Sequence, residues 1–281
     1  MLSSKPPSLA LTSEQFRIIS EIAHTEAGLV LVQSKASMIA ARLAKRVKTL
    51  NLRSLEEYFS LLKSDTLENE LPHLLSALTT NVSHFFREEH HFEMLRTTVF
   101  PELASRAAKG DRIRIWSAGC SNGQELYSIA MTLAEILPNS ANYDVKLLGT
   151  DIDPNVIQTA ARGDYSESQL KGVPSKMRST YFANHEAGGG AMILDSLKRN
   201  IQFKRLNLIG DWPMKYCFDL IFCRNVVIYF DEKTQERLWI RFEDILKEGA
   251  WLFIGHSERI QDLSTLSLRS SGITAYQKLN V

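Results

Sequence analysis

The chain has only three cysteines, Cys120, Cys217 and Cys223. Their number is odd and their spacing matches no common metal motif, so we expect reduced thiols in a cytoplasmic protein. No apolar run reaches the roughly 18 residues that a membrane-spanning helix needs. The first residues, MLSSKPPSLALTSEQ, lack the apolar segment of a secretory signal peptide.

The chain also lacks an excess of charge of either sign. It carries 33 Lys and Arg against 32 Asp and Glu, a formal net charge of +1. Overall charge therefore directs it toward neither nucleic acid nor an anionic membrane surface. None of its 7 histidines has H-x-x-x-H spacing beside a carboxylate, so no metal site is predicted. A length of 281 residues is typical of about two domains.

The first part of the chain carries helix signals and no strand-like alternation. Thr12 followed by Gln15 matches a capping box for a helix that ends near Gly28. Ser34 and Ser54 are expected to begin the next two helices, and a fourth is expected over 67–78. The sequence therefore predicts an all-helical domain over residues 1–92.

From residue 112 onward, short apolar runs alternate with amphipathic segments. Strands are predicted at 112–118, 144–150, 201–206, 217–224 and 250–255, and helices at 124–137, 153–162 and 232–247. This alternation is typical of a parallel, doubly wound α/β sheet. Residues 273–279 are expected to return to it as an antiparallel strand. Residues 165–200, with Gly188-Gly189-Gly190, interrupt the alternation and predict an inserted antiparallel β-subdomain. The second domain thus spans 93–281.

The turn after the first predicted strand, residues 117–123 (SAGCSNG), is the most informative segment. Its glycines let the backbone approach a ligand closely, and the following helix start has free N–H groups. The turn lacks both G-x-G-x-x-G and G-x-x-x-x-G-K-[ST], and it has no lysine for a pyrophosphate. S-adenosylmethionine (SAM), which carries no phosphate, is the remaining common ligand of such a strand–loop–helix.

The second predicted strand ends in Gly149-Thr150-Asp151-Ile152-Asp153. A carboxylate at this position of a nucleotide-binding sheet accepts hydrogen bonds from ribose hydroxyls. Asp153, followed by Pro154, is better placed to cap the next helix. We therefore interpret Asp151 as the ribose-binding residue; the alternative is that both residues only cap.

Two further segments combine apolar and polar side chains. In residues 218–230 (FDLIFCRNVVIYF), an apolar strand leads to Arg224, Asn225 and Tyr229, at the sheet edge where ligands bind in open α/β folds. The alternative makes Tyr229 ordinary core and Asn225 a turn residue. Residues 79–88 (TTNVSHFFRE) resemble a lid, although by themselves they are more typical of a packing segment between domains.

Together these segments resemble the chemotaxis receptor glutamate methyltransferases, the CheR family. The resemblance covers about residues 12–279 and depends on five ordered motifs. It implies a helical N-terminal domain followed by a SAM-binding sheet domain with a small β-subdomain. The motifs are TNVSHFFRE at 80–88, WSAGCSNGQELYSIA at 116–130, GTDID at 149–153, FDLIFCRNVVIYF at 218–230 and GHSE at 255–258.

The resemblance also implies roles for individual residues. Arg87 and Tyr229 correspond to residues that face the transferred methyl group. Four positions depart from the residues that the family usually has. The family usually has Thr where Ser83 and Asn122 stand, Glu where Gln124 stands and Pro where Leu126 stands. Ser83 keeps a hydroxyl, and Glu125 keeps a carboxylate for SAM. The implied SAM contacts are Asn81, Ser83, Arg87, Glu125, Asp151, Asn207, Leu208, Arg224 and Asn225.

A basic stretch in the helical domain provides an independent argument about the substrate. No acidic residue occurs between Glu26 and Glu56, and four basic residues there share one arc of a helix. Such an arc is expected to dock an acidic, Glu-rich partner helix; the alternative is a merely solvated face. A pI of about 7.7 and the lack of interleaved aromatics argue against nucleic acid. The four residues are Lys35, Arg42, Lys45 and Arg46.

The sequence is thus interpreted as a monomeric SAM-dependent protein-glutamate O-methyltransferase, with S-adenosylhomocysteine as its second product, acting on the cytoplasmic helical bundle of chemoreceptors. Two alternatives are a methyltransferase for another acceptor, such as nucleic acid, and a SAM-sensing or receptor-binding module with weakened catalysis. Some family members bind a C-terminal receptor pentapeptide through the β-subdomain. The loop at Gly188-Gly189-Gly190 looks short, which favours a pentapeptide-independent enzyme.

Overall fold

The computed structural model describes residues 10–64, 67–186 and 188–280. The chain divides into two compact units. The first extends to Thr80 and includes a second piece, Tyr229–Asp231; the second comprises Asn81–Ile228 and the chain from Glu232 onward. The division after Thr80 lies before the boundary predicted after residue 92. The reason is that Phe85 and Phe92 pack into hydrophobic cores of the second unit.

The described part of the first unit is helical, as predicted. Thr12 and Gln15 form the expected capping box, and Ser54 accepts a hydrogen bond from the N–H of Glu57 at the third helix start. The prediction for Ser34 is wrong, because this residue lies inside a short 3-10 turn and the helix begins only afterwards. The helices are α1 (Ser13–Ala27), α2 (Ala36–Thr49), α3 (Leu55–Leu62) and α4 (Leu67–Leu78), with the 3-10 turn at Gln33–Lys35.

The second unit is built on a seven-stranded sheet in the order β6-β2-β1-β7-β8-β10-β9. Strands β6, β2, β1, β7 and β8 are parallel neighbours, and β10 pairs antiparallel with β8, as expected for the returning chain. The edge strand β9 was not predicted. The strands are β1 (Ile113–Ala118), β2 (Val145–Asp151), β6 (Ile201–Arg205), β7 (Phe218–Cys223), β8 (Leu246–Ile254), β9 (Leu268–Gly272) and β10 (Ala275–Lys278).

Helices pack on both faces of this sheet. Successive side chains of β1 point to opposite faces: Ile115 lies in a core with residues of α6 and α7, whereas Trp116 contacts Phe242 of α12. Helix α12 ends at Asp244 because the chain from Leu246 already pairs as β8. The helices are α5 (Glu89–Met94), α6 (Phe100–Ala108), α7 (Gln124–Ile136), α8 (Pro154–Arg162) and α12 (Glu232–Asp244), with a π-helical turn at Leu95–Val99 and 3-10 turns at Ser140–Asn142 and Val227–Tyr229.

The predicted insertion forms a separate three-stranded antiparallel sheet in the order β3-β5-β4. A Cβ atom at Gly190 would lie 2.3 Å from the Tyr165 carbonyl oxygen, so this strand pairing requires glycine there. Among the described residues, no helix is long and apolar enough to cross a membrane. The elements are β3 (Asp164–Ser166), α9 (Glu167–Leu170), α10 (Ser175–Tyr181), β4 (Phe182–Asn184), β5 (Gly190–Ile193) and α11 (Asp195–Lys198).

Candidate cofactor-binding site

The loop between β1 and α7 is folded tightly against the end of β2. The N–H groups of Gly119 and Cys120 both donate to the Thr150 carbonyl at 2.8 Å. Gly119 and Gly123 each have φ of +88°, a conformation that favours glycine. A Cβ atom at Gly119 would lie 2.3 Å from Val226 Cγ2. The two glycines therefore permit both the turn and the close approach of neighbouring chain.

Asp151 anchors this loop from the carboxyl end of β2. Its Oδ2 accepts the Ser121 N–H at 2.9 Å and its Oδ1 accepts the Asp153 N–H at 3.0 Å. Burial raises the pKa of Asp151 to about 6, although the backbone hydrogen bonds oppose the shift. Each carboxylate oxygen can accept a further hydrogen bond. The carboxylate is thus fixed in position and still able to accept from a ligand diol.

Asp153 caps α8 by accepting the Asn155 N–H at 2.9 Å. It also connects the start of the unit to the loop, because Asn81 Nδ2 donates to Asp153 Oδ2 at 2.7 Å. The Asn81 carbonyl accepts from Ser121 Oγ at 3.2 Å. The structure thus brings Asn81, Asp151 and the loop together, and Ser83, two residues further along, is half-buried.

A buried charged network lies at the carboxyl ends of β1 and β7. Glu125 accepts from Ser117 Oγ at 2.7 Å and lies 3.5 Å from Arg224 Nη1. Burial raises the pKa of Glu125, and the Arg224 charge opposes this shift. Arg224 is only 5% exposed, and its Nη2 donates to the Arg87 carbonyl. Its Nε and Nη1 have no hydrogen-bond partner among the described residues. Both groups are buried, and Nη1 lies in the ion pair with Glu125.

The network continues from Arg224 to Glu88, whose Oε2 lies 3.4 Å from Nη2. Glu88 Oε1 is 3.0 Å from His256 Nδ1. Ligand atoms of Glu88, His90 and His91 lie within 4.8 Å of one another, a spacing that a metal ion could bridge. Arg224 already provides a cation beside this carboxylate. The absence of a metal stays a prediction.

The segment after β7 is held by a residue whose role sequence reasoning missed. Asn225 has φ of +59°, and it begins a run of backbone N–H groups that point to the carboxylate of Glu258. The sequence contains one signal for this residue, the motif GHSE at 255–258.

The remaining predicted residues lie in different surroundings. Arg87 Nη1 donates to the Val82 carbonyl at 3.1 Å. Asn207 and Leu208 follow β6, and the Leu208 carbonyl accepts from Arg241 Nη1 at 2.7 Å. Tyr229 belongs to the first unit, where the Lys35 ammonium lies 5.3 Å from its ring centre.

The four basic residues predicted for docking divide into two pairs. Lys35 and Lys45 are exposed. Arg42 and Arg46 are only partly exposed: Arg42 donates to the Ala77 and Thr79 carbonyls at the end of α4, and Arg46 forms an ion pair with Glu70. The docking role of all four stays a prediction, with the two lysines in the more accessible positions.

Comparison with known proteins gives matches over nearly the whole chain. The family model "CheR methyltransferase, all-alpha domain" matches residues 14–79, and "CheR methyltransferase, SAM binding domain" matches 81–276. The chain is 47% identical over 256 residues to the probable chemotaxis protein methyltransferase of Rhizobium etli, covering 90% of this chain and 96% of that protein.

Two further relatives extend this agreement. The chemotaxis protein methyltransferase of Escherichia coli is 38% identical over 277 residues, covering 96% of this chain and 93% of that protein. The chemotaxis protein methyltransferase of Borreliella burgdorferi is 37% identical over 255 residues, covering 89% of this chain and 90% of that protein. The resemblance inferred from the five motifs is therefore confirmed.

Proposed function

The chain belongs to the CheR family of SAM-dependent methyltransferases, and on that premise we propose that it methylates glutamate side chains of chemoreceptor cytoplasmic domains. The product is a glutamate methyl ester, with S-adenosylhomocysteine released. The proposal is supported by the relatives, which are named chemotaxis protein methyltransferases. It extends these names to a defined acceptor, the glutamate carboxylate.

The observation that carries the proposal is the set of polar groups around the loop between β1 and α7. Asp151 is fixed by two backbone N–H groups and can accept from a ribose diol. Glu125 is suited to the amino group of the methionyl part of SAM. The guanidinium of Arg224, whose Nε has no hydrogen-bond partner among the described residues, is suited to its carboxylate. We therefore assign these residues to the two charged ends of the amino acid and to the ribose.

When bound, SAM supplies a methyl group on a positively charged sulfur. A glutamate side chain has an ordinary pKa of about 4.3, so it is ionised at neutral pH and needs no general base. The protein therefore has to align the carboxylate and exclude water. We assign the alignment to Arg87, through its guanidinium, and to Tyr229, through its hydroxyl. This assignment needs no Ser/His/Asp or Cys/His set, and it needs no metal.

We further propose that the exposed basic residues of the first unit dock the acidic helical bundle of the receptor. Lys35 and Lys45 carry this role best, because their side chains are exposed and not enclosed by contacts to α4. Docking by exposed charges is salt-dependent and affects receptor affinity more than the methyl transfer step. We also propose that the enzyme acts as a monomer in the cytoplasm, where the receptor bundle lies.

The decisive assay uses SAM with a labelled methyl group and purified chemoreceptor cytoplasmic fragments. We expect label in the receptor fragment that mild base releases as methanol, which is diagnostic of a carboxyl methyl ester. A matched fragment with Gln at the accepting glutamates should incorporate no label. SAM binding without transfer to any fragment would instead indicate a SAM-sensing or receptor-binding module.

A further inference from the structure

Glu258 is the acceptor for an unusual concentration of backbone donors. It is 3% exposed and lies just beyond the end of β8. Its Oε1 accepts the N–H groups of Val226 and Val227 at 2.8 and 2.9 Å and that of Ile228 at 3.4 Å. Its Oε2 accepts those of Asn225 and Gly255 at 2.9 and 2.5 Å. One side chain thus binds four consecutive amides of the segment after β7.

The same segment is confined by packing on two sides. A Cβ atom at Gly255 would lie 2.7 Å from both the backbone N and the side-chain Nδ2 of Asn225. A Cβ atom at Gly119 would lie 2.3 Å from Val226 Cγ2. Residues 225–228 therefore lie between the loop that joins β1 to α7 and the end of β8. The Glu258 carboxylate is their common hydrogen-bond acceptor.

These contacts determine what Glu258 can do. An ionised carboxylate has about four lone-pair positions, and five N–H groups already occupy them. Glu258 is therefore unavailable as a general base or as a direct ligand of SAM. Its effect has to pass through the backbone that it binds. That backbone follows Arg224 directly and includes Asn225. Both residues are among the SAM contacts that the family resemblance implies.

We propose that Glu258 is a positioning residue that fixes the backbone of residues 225–228 and thereby sets Arg224 and Asn225 for SAM binding and methyl transfer. The methyl-transfer part rests on the proposed function, whereas the SAM-binding part does not depend on the receptor. The chemistry of the interaction requires a carboxylate, since a glutamine in its place would direct an NH₂ group at N–H donors.

The test compares Glu258→Gln and Glu258→Ala with Asp219→Asn. Asp219 is the matched control, because it is a fully buried carboxylate that also accepts a backbone N–H, from Arg114 at 2.8 Å. It lies near the start of β7, whereas Glu258 acts on the segment beyond the end of that strand. All three variants should have lower thermal stability, so stability by itself does not distinguish Glu258 from Asp219.

Three readouts separate positioning from stability: the SAM Kd by calorimetry, hydrogen exchange of peptides that cover 224–230, and kcat against receptor KM. In Glu258→Gln we expect a Kd raised about tenfold or more, in line with the loss of charged hydrogen bonds. Exchange at 225–228 should be faster, and kcat should be lower at saturating SAM. Glu258→Ala should raise the SAM Kd further, since alanine has no side-chain acceptor oxygen. Asp219→Asn should keep the wild-type Kd and wild-type exchange at these peptides.

The inference is overturned if Glu258→Gln keeps the wild-type Kd and exchange at 225–228, or if the Asp219 control loses SAM affinity in proportion to its loss of stability. Failure of the proposed function gives a different result. In that case the wild type would methylate no receptor fragment, while Glu258→Gln would still bind SAM more weakly and exchange faster. Failure of both Glu258 variants to fold would also overturn the inference, because it would assign the residue to stability.

Discussion

Arg46 and Glu70 face each other as a two-bond pair, with Arg46 Nε and Nη2 at 2.7 and 2.6 Å from the two carboxylate oxygens. The Tyr58 hydroxyl donates to the same carboxylate at 2.8 Å. Glu70 is 4% exposed, so the pair ties α2 to α4 inside the helical unit. Charge reversal at Arg46 would therefore test folding before it tests docking.

Arg46→Ala is expected to destabilise the helical unit by about 3 kcal/mol, because it leaves the buried Glu70 carboxylate without its cation. Urea unfolding followed by far-ultraviolet circular dichroism measures this change. The four tryptophans all lie in the second unit, so their fluorescence follows that unit separately. Arg46→Met combined with Glu70→Leu should recover much of the loss. Unchanged stability in the single variant would contradict the structural role.

Docking is better tested at the exposed lysines, which are Lys45 on α2 and Lys35 just before this helix. Lys45→Glu should raise the receptor KM several-fold and leave the SAM Kd unchanged, because an exposed charge acts mainly on association. Lys48→Glu is the matched control, since Lys48 is also exposed on α2 but lies off the predicted basic arc. The effect of Lys45→Glu should shrink at high salt. Equal effects at the two positions would show that receptor affinity depends on net charge alone and not on the predicted basic arc.

Asp151→Ala is expected to weaken SAM binding by about 1.5–3 kcal/mol, the usual loss for a charged hydrogen bond. The wild type should also show a pH dependence. The pKa of Asp151 is raised to about 6, so the carboxylate protonates as the pH falls through 6 and SAM affinity should fall with it. Calorimetry from pH 8 to pH 5 on wild type and Asp151→Asn measures both effects. A pH profile that persists in Asp151→Asn would assign it to another group.

Arg87 and Tyr229 are predicted to act on the methyl-transfer step. Arg87→Ala should lower kcat sharply with little change in thermal stability, because its side chain makes a single described hydrogen bond, to the Val82 carbonyl. Tyr229→Phe should lower kcat more than SAM affinity, since only the hydroxyl is lost. Steady-state kinetics with receptor fragments and calorimetry with SAM provide the comparison. Wild-type rates in both variants would show that the methyl-transfer centre lies elsewhere.

His91 should make the protein sensitive to acid. It is fully buried, and burial together with the Arg224 and His90 charges lowers its pKa to about 3, against the opposing charge of Glu88. Between pH 6.5 and about pH 3, His91 is protonated in the unfolded chain and neutral in the folded chain. Stability from this group therefore falls with pH by up to about 1.4 kcal/mol per unit.

The variant His91→Phe isolates this contribution, because the ring can pack against Phe222 and Phe253, which already contact His91. The wild-type stability minus that of the variant, measured in urea by tryptophan fluorescence, should decrease from pH 7 to pH 5. A difference that does not change with pH would show that His91 protonates in the folded state as easily as in the unfolded one.

The sequence predicted the central sheet well because its strands are buried apolar runs. Every residue of β7, Phe218–Cys223, is buried, and such a run is recognisable without knowledge of its neighbours. Strand β9, Leu268–Gly272, was missed because it is mostly exposed and polar and is defined by pairing with β10 at the sheet edge. Ser34 was misplaced for a similar reason, since nothing local distinguishes a helix start from the 3-10 turn that precedes it.

The candidate site was predictable where one short segment carries the chemistry. The glycines at 119 and 123 and the carboxylate of Asp151 belong to such segments. The roles of Glu258 and Glu70 could not be inferred in this way, because each depends on partners far away in the chain. The acceptor at 258 binds amides at 225–228, and the Arg46–Glu70 pair joins residues 24 positions apart. A polar side chain reveals its partner only after the fold is known.

The inclusion of Tyr229–Asp231 in the first unit limits how the protein could be divided. Phe230 forms a bridge with Leu29, and the Tyr229 carbonyl accepts the Val30 N–H at 2.8 Å. A fragment that ended at Thr80 would lose these partners and expose Leu29, which is 8% exposed in the intact chain. The helical unit is therefore built from two separate stretches of the chain. Its recombination onto another catalytic domain, in evolution or in the laboratory, would have to carry a tripeptide encoded far downstream.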